Sequence, residues 1–242
     1  MRAERRLEPG SGGSGAKGVP ERIGHRGAPR EFPENTVAAF RRAFERGADA
    51  IELDVHLTAD AVVVVHHDPT LTASAGRLAG RPITELTLDQ IRAADLNPDV
   101  GIPTLGEVLG VVPRDARAYV ELKGAGVEVA VVRVLETASC DYAVHSFDQA
   151  AIARMRDLAP HIPRGILYDR RSIDVAAAML ETGARDVWPN WRLIDRATVA
   201  RVHEEGGRVI AWTVNTRRAA NALIALGVDG LCGDDVRLLD NL

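Results

Sequence analysis

Residues 50–68 read AIELDVHLTADAVVVVHHD, and the two apolar runs within them decide where the polar side chains point. From Ala50 to Leu57 the pattern alternates, so Glu52 and Asp54 share one face of a strand. Two carboxylates side by side in an apolar segment repel each other and lose hydration, which calls for a cation. After a turn at Ala59-Asp60, a second extended run from Val62 delivers His66-His67-Asp68. Acids on one strand face, with histidines at neighbouring strand ends, specify a metal-assisted acid–base site.

On the N-terminal side, Arg22 to His25 makes a short strand, followed by a loop rich in Pro and Gly. Asn35 or Thr36 can cap the next helix, whose Val37, Phe40 and Phe44 form one apolar stripe. Gly47 ends that helix. The same rhythm continues toward the C-terminus. Strands are predicted at 118–122, 142–145, 165–168, 186–188, 208–213 and 230–232, with amphipathic helices between them and a short helix at the end. Strands alternating with helices pair in parallel, and about eight such units close a barrel. The predicted fold is therefore α/β, a (βα)8 TIM barrel over residues 21–242. Residues 68–103 interrupt it as a short insertion after the second strand, helical only around Leu88 to Ala94. Thr104 then caps a helix to about Val112. Residues 1–20, carrying the Gly/Ser run from Gly10 to Gly15, are predicted to be a disordered tail.

The formal charge of -4 is spread without a basic stripe, which argues against nucleic acid as a partner. The longest apolar runs are strand-length, so no integral membrane segment is expected. Residues 1–20 follow their early arginines with Gly and Ser where a secretory leader has an apolar core. Cys140 and Cys232 lie far apart without CxxC spacing and read as reduced, buried thiols; the expected location is cytoplasmic. No oligomeric state is specified.

Several motifs in order carry a family resemblance. They are His25-Arg26-Gly27, Pro33-Glu34-Asn35-Thr36, Glu52-Leu53-Asp54 and His66-His67-Asp68-Pro69-Thr70-Leu71. Further along come Ile102-Pro103-Thr104-Leu105, Glu121-Leu122-Lys123, Ser146-Phe147-Asp148 and Trp212-Thr213-Val214-Asn215. From about Ile23 to its C-terminus the chain resembles the glycerophosphodiester phosphodiesterases. That resemblance implies a metal-dependent barrel that cleaves small-molecule glycerophosphodiesters to glycerol 3-phosphate and an alcohol. It leaves open whether the substrate's own hydroxyl attacks first, through a cyclic phosphate, or water attacks directly. The final strand reads Gly230-Leu231-Cys232-Gly233-Asp234-Asp235 where the family commonly has isoleucine-threonine-aspartate, so no site contact is assigned to it.

Glu52 and Asp54, with Glu121 as a third carboxylate, are the expected ligands of one divalent cation. An all-oxygen set suits Mg²⁺, Ca²⁺ or Mn²⁺ better than zinc. Cleaving a phosphodiester needs a base for the nucleophile and an acid for the leaving alkoxide, and histidine serves as either near neutral pH. His25 is assigned as base and His67 as acid, with metal ligation the alternative role for His67. Arg26 and Lys123 are expected to neutralise phosphate oxygens, Arg26 as a two-oxygen clamp. Trp212, with Phe147, is expected to face the alcohol. Glu34 and Asn35 brace the first loop, His56 has no assigned role, and His145, His161 and His203 read as structural or surface residues. Two other readings compete: a lysophospholipase D-type hydrolase using Trp188, Trp191 and Tyr168 as an apolar lip, and a noncatalytic phosphate-binding barrel.

Overall fold

The computed structural model describes residues 19–94, 101–171 and 173–239. The tail expected over residues 1–20 falls almost wholly outside them. Strand β1 (Glu21–His25) leads through the first loop into helix α1 (Val37–Glu45). Thr36 caps that helix by accepting from the Ala39 N–H, which leaves Asn35 free for another task. Strand β2 (Ala50–Leu57) follows, then β3 (Val63–Val65). The second extended run expected after the turn is β3, and it pairs antiparallel with β2, pinned by Thr58, which accepts from the Val62 N–H.

The remaining strands are β4 (Arg117–Leu122), β5 (Asp141–Ser146), β6 (Arg164–Tyr168), β7 (Asp186–Pro189), β8 (Arg208–Ala211) and β9 (Gly230–Gly233). With β3 set aside, eight parallel strands close on themselves, because β1 pairs with both β2 and β9. The outer helices are α2 (Leu88–Ala94), α3 (Leu105–Leu109), α4 (Glu128–Leu135), α5 (Gln149–Leu158), α6 (Val175–Thr182), α7 (Arg196–Glu204) and α8 (Arg217–Leu226). Asp148, Asp174, Asp195 and Thr216 cap α5 to α8 with side-chain oxygens, each satisfying an otherwise orphaned N–H. Helix α3 is shorter than expected, ending at Leu109, with Gly110 as its C-cap, rather than near Val112.

Strand alternation sorts the side chains into two cores. Ile51, Leu53, Val55, Val120 and Val144 face the helices. Inside the barrel, Ile23, Ala50, Tyr119, Ala143, Leu167, Trp188, Ile210 and Cys232 form one layer with a residue from each barrel strand. Small alanines beside Tyr119 and Trp188 let this layer interdigitate. Below it Glu21 accepts from the Tyr119 hydroxyl and from Arg208, closing the floor with charge. Above it the interior positions become polar, because the chain places His25, Glu52, Glu121, His145 and Asp234 two residues further along their strands. The insertion packs against β3 in a small separate core, Val64 of β3 meeting Leu71, Ile83, Leu86 and Ile91.

The first loop is held tightly against α1. A Cβ on Gly27, whose φ is +91°, would lie 2.6 Å from the Ala39 carbonyl carbon. Gly27→Ala is therefore expected to destabilise the protein by about 2 kcal/mol, from backbone strain and the clash together. Thermal unfolding checks this, and a variant as stable as wild type would contradict the packing.

Candidate active site

Register brings the polar residues together at the C-terminal ends of the strands. His25 lies opposite Glu52, Asp54 opposite Glu121, and Glu121 opposite His145. Glu52, Glu121 and His145 are all buried and each offers one ligand atom, these atoms lying within 4.8 Å of one another. Asp54 looks toward the positive groups. Its Oδ1 is 3.4 Å from Lys123 Nζ, its Oδ2 is 3.2 Å from Arg26 Nε, and Asn35 Nδ2 donates to Oδ2 at 2.8 Å. Lys123 also donates to Glu121 at 3.3 Å.

The electrostatics follow from this crowding. Burial, then the charges of Asp54 and Glu52, push the Glu121 carboxyl up to about 7. Burial would raise Asp54 as well, but Arg26 and Lys123 outweigh it and hold that carboxyl below its usual range. Three buried acids thus share two cations, one of which, Arg26, also pairs with Glu34 at 2.9 Å. Asp54 Oδ1 and both His145 ring nitrogens are buried with no hydrogen-bond partner among the described residues. This donor set fits a divalent cation. Binding one is expected to expel the proton that Glu121 holds below its raised pKa. Apparent affinity should then rise about tenfold per pH unit in the range below about 7 and flatten above it. Calorimetric titration across pH checks this, and an affinity flat between pH ~5.5 and ~7 would remove Glu121 from the ligand set.

The two candidate acid–base histidines are oriented alike. Asp234 Oδ1 lies 2.7 Å from His25 Nδ1, and Asp68 Oδ1 lies 2.8 Å from His67 Nδ1. A carboxylate at Nδ1 selects the Nδ1–H tautomer and leaves Nε2 as the working nitrogen. His25 Nε2 is 4.0 Å from Glu52 Oε2. Burial opposes protonation of His25, but the Asp234 hydrogen bond and the Glu52 charge outweigh it and raise its pKa above the ordinary value. Arg26 has φ +53°, a left-handed conformation that lets its N–H donate to Glu52 while its guanidinium meets Asp54 and Glu34. Trp212 packs edge-on to Phe147 with ring centroids 5.4 Å apart, and its Nε1 donates to the Trp188 carbonyl.

Three placements differ from the sequence reading. His145, read as a structural or surface residue, is fully buried beside the acids, where its nitrogen joins their group; its strand parity, two residues beyond Ala143, was the signal. Asp234, on the strand end to which no contact was assigned, holds His25, and Asn215 in turn donates to Asp234 at 2.6 Å. Trp188 is 1% exposed and stacks on His145 inside the barrel, and Tyr168 is buried, so neither forms a lip. Glu34 pairs with Arg26, and Asn35 donates to Asp54. Beside the site, a cavity of about 210 Å³ runs between the first loop and the insertion, lined in part by Glu34, Asn35, His66, Leu71, Ile91 and Ile102.

Residues 25–238 match the Glycerophosphoryl diester phosphodiesterase family. A glycerophosphodiester phosphodiesterase of Caldanaerobacter subterraneus is 32% identical over 91% of this chain and 96% of its own length. One from Bacillus altitudinis is 30% identical over 87% of this chain and 92% of its own. Among solved structures, an Oleispira antarctica phosphodiesterase in complex with the product sn-glycerol-3-phosphate matches with a TM-score of 0.81. It is 25% identical, covering 91% of this chain and 95% of that one. The Thermotoga maritima glycerophosphodiester phosphodiesterase matches at 0.78, also 25% identical, over 90% and 96%.

Proposed function

The chain belongs to the glycerophosphoryl diester phosphodiesterase family, and on that premise we propose that it hydrolyses glycerophosphodiesters to glycerol 3-phosphate and an alcohol, with His25 and His67 moving the protons. The observation that carries this reading is the pair of histidines, each with Nδ1 held by an aspartate, beside a buried acid cluster.

A bound Mg²⁺, Ca²⁺ or Mn²⁺ supplies a Lewis acid that draws charge from a phosphate oxygen. Glu52, Asp54 and Glu121 offer the carboxylates for it. Arg26 faces two further phosphate oxygens and Lys123 acts as a point charge, each loosening its hold on Asp54 as phosphate enters. His25 Nε2 accepts the proton of the attacking oxygen. As the new P–O bond forms and the bond to the alcohol breaks, His67 Nε2 gives its proton to the leaving alkoxide. Over the cycle one water is consumed and both histidines regain their starting protonation. Trp212 faces the glycerol or alcohol moiety, and Asp234, held by Asn215, positions His25.

Small alcohols are favoured over a lipid-like group. Two of the three aromatics that would have formed an apolar lip are buried, and Trp191 stacks with Arg192, whose guanidinium carbon is 4.6 Å from the ring centroid. A noncatalytic role would leave both histidines and three acids without a task. No helix among the described residues is long and apolar enough to cross a membrane. A cytoplasmic location is part of the same proposal and rests on Cys140 and Cys232 being free and buried. Incubation with glycerophosphodiesters of small alcohols and with a lysophospholipid, each with all three cations, tests the reading. Glycerol 3-phosphate is expected from the small diesters. Cleavage of the lysophospholipid alone, or of nothing, would overturn it.

A further inference from the structure

His145 introduces a nitrogen into a site whose other donors are oxygens. It faces the barrel interior two residues above Ala143, and register sets it opposite Glu121. Its ring is fully buried, and neither nitrogen has a hydrogen-bond partner among the described residues. Trp188 stacks on it at 4.4 Å and 29°, which fixes the plane of the imidazole. A buried imidazole with both nitrogens unpaired is unfavourable unless something engages one of them.

Nε2 lies 3.7 Å from Glu52 Oε1. That is too long for a hydrogen bond. It is the separation of two donors on one ion: atoms ~2.1–2.2 Å from a shared cation, at an angle of ~90–120°, lie ~3–3.8 Å apart. Glu121 completes the cluster, all three ligand atoms falling within 4.8 Å. Carboxylates accept Ca²⁺, Mg²⁺ and Mn²⁺ with little discrimination, whereas imidazole strongly prefers first-row transition ions to the hard alkaline-earth ions.

Resting on the metal-dependent reading above, we propose that His145 is a nitrogen ligand of the catalytic cation and biases the site toward Mn²⁺ and the later first-row divalent ions, away from Ca²⁺. Within the group Glu52, Glu121 and His145 the bias belongs to the histidine, since the other two donors are carboxylates. It also brings zinc, which the oxygen donors disfavour, within reach of the site.

Pulsed electron paramagnetic resonance on the full chain loaded with Mn²⁺ tests this, with histidine labelled by ¹⁵N. Wild type is expected to show coupling to a directly bound imidazole nitrogen. His145→Gln should lose that coupling and bind Mn²⁺ about tenfold or more weakly by calorimetry, while its Ca²⁺ affinity stays within about threefold. Retained Ca²⁺ binding certifies that the variant is folded, and the wild-type spectrum stands even if it is not. No nitrogen coupling in wild type, coupling that persists in His145→Gln, or equal losses for both ions would overturn the inference. Wild-type protein that binds neither ion would overturn the metal-dependent reading itself, a distinguishable result.

Discussion

Excess EDTA is expected to abolish turnover of glycerophosphodiesters, and added Mg²⁺, Ca²⁺ or Mn²⁺ to restore it. Glu52, Asp54 and Glu121 are buried together, and the Glu121 carboxyl is pushed up to about 7 by burial and by its neighbours. Arg26 and Lys123 both lie against Asp54, and Lys123 also reaches Glu121 at 3.3 Å, so the three buried carboxylates outnumber the cations among them. The substrate brings further negative charge to the same place, so without a cation the transition state gains nothing from the cluster. Glu52→Gln isolates this effect. The amide keeps an oxygen that can accept from the Arg26 N–H, now at 3.1 Å, so the first loop should hold its shape. Losing one preorganised charge at the reacting centre is expected to lower kcat by about 10²-fold or more. Full activity in chelator, or in Glu52→Gln, would sink the metal assignment.

His25→Ala and His67→Ala should each lower kcat by about 10²–10⁴-fold, the usual worth of a positioned acid or base. Because the two serve one reaction, the double variant should lose far less than the product of the single losses. The wild-type pH–rate profile should be bell-shaped, its limbs belonging to the pair rather than to either residue. Asp234→Asn supplies the sign. The Asp234 hydrogen bond raises the His25 pKa, so removing the charge lowers it. A base with a lower pKa stays deprotonated to lower pH, and the acid limb of the profile should move to lower pH as kcat falls. An immobile acid limb would mean that His25 is not the base. Cation affinity separates the two roles open to His67: if His67→Ala weakens it, His67 is a ligand and the acid lies elsewhere.

Much of this was legible because strand geometry is simple. The period of two placed Glu52 and Asp54 on one face, and both turn out to point into the barrel. Helix caps were legible for the same local reason, Thr36 and Thr104 each lying beside the N–H they satisfy. The antiparallel fold-back of β3 was not legible. A run of valines has equal propensity to continue a strand or to pair beside it, and only the turn at Thr58 to Val62 decides. His145 was within reach, since parity puts it in register with Glu121, but a lone histidine in an apolar strand carries no local mark of ligation.

By itself, then, the sequence determined the alternation, the eight barrel strands and the residues presented to the interior, all consequences of neighbours one to four positions apart. Only the tertiary structure decided which of those residues share a site. His25 and Asp234 are held 2.7 Å apart although 209 residues separate them, because barrel closure lays β9 beside β1. Glu52 and His145 meet across β4 through the register of two successive strand pairs, and Trp188 reaches His145 from across the interior. Such distances depend on closure and stagger, properties of the whole sheet that no local stretch of chain encodes.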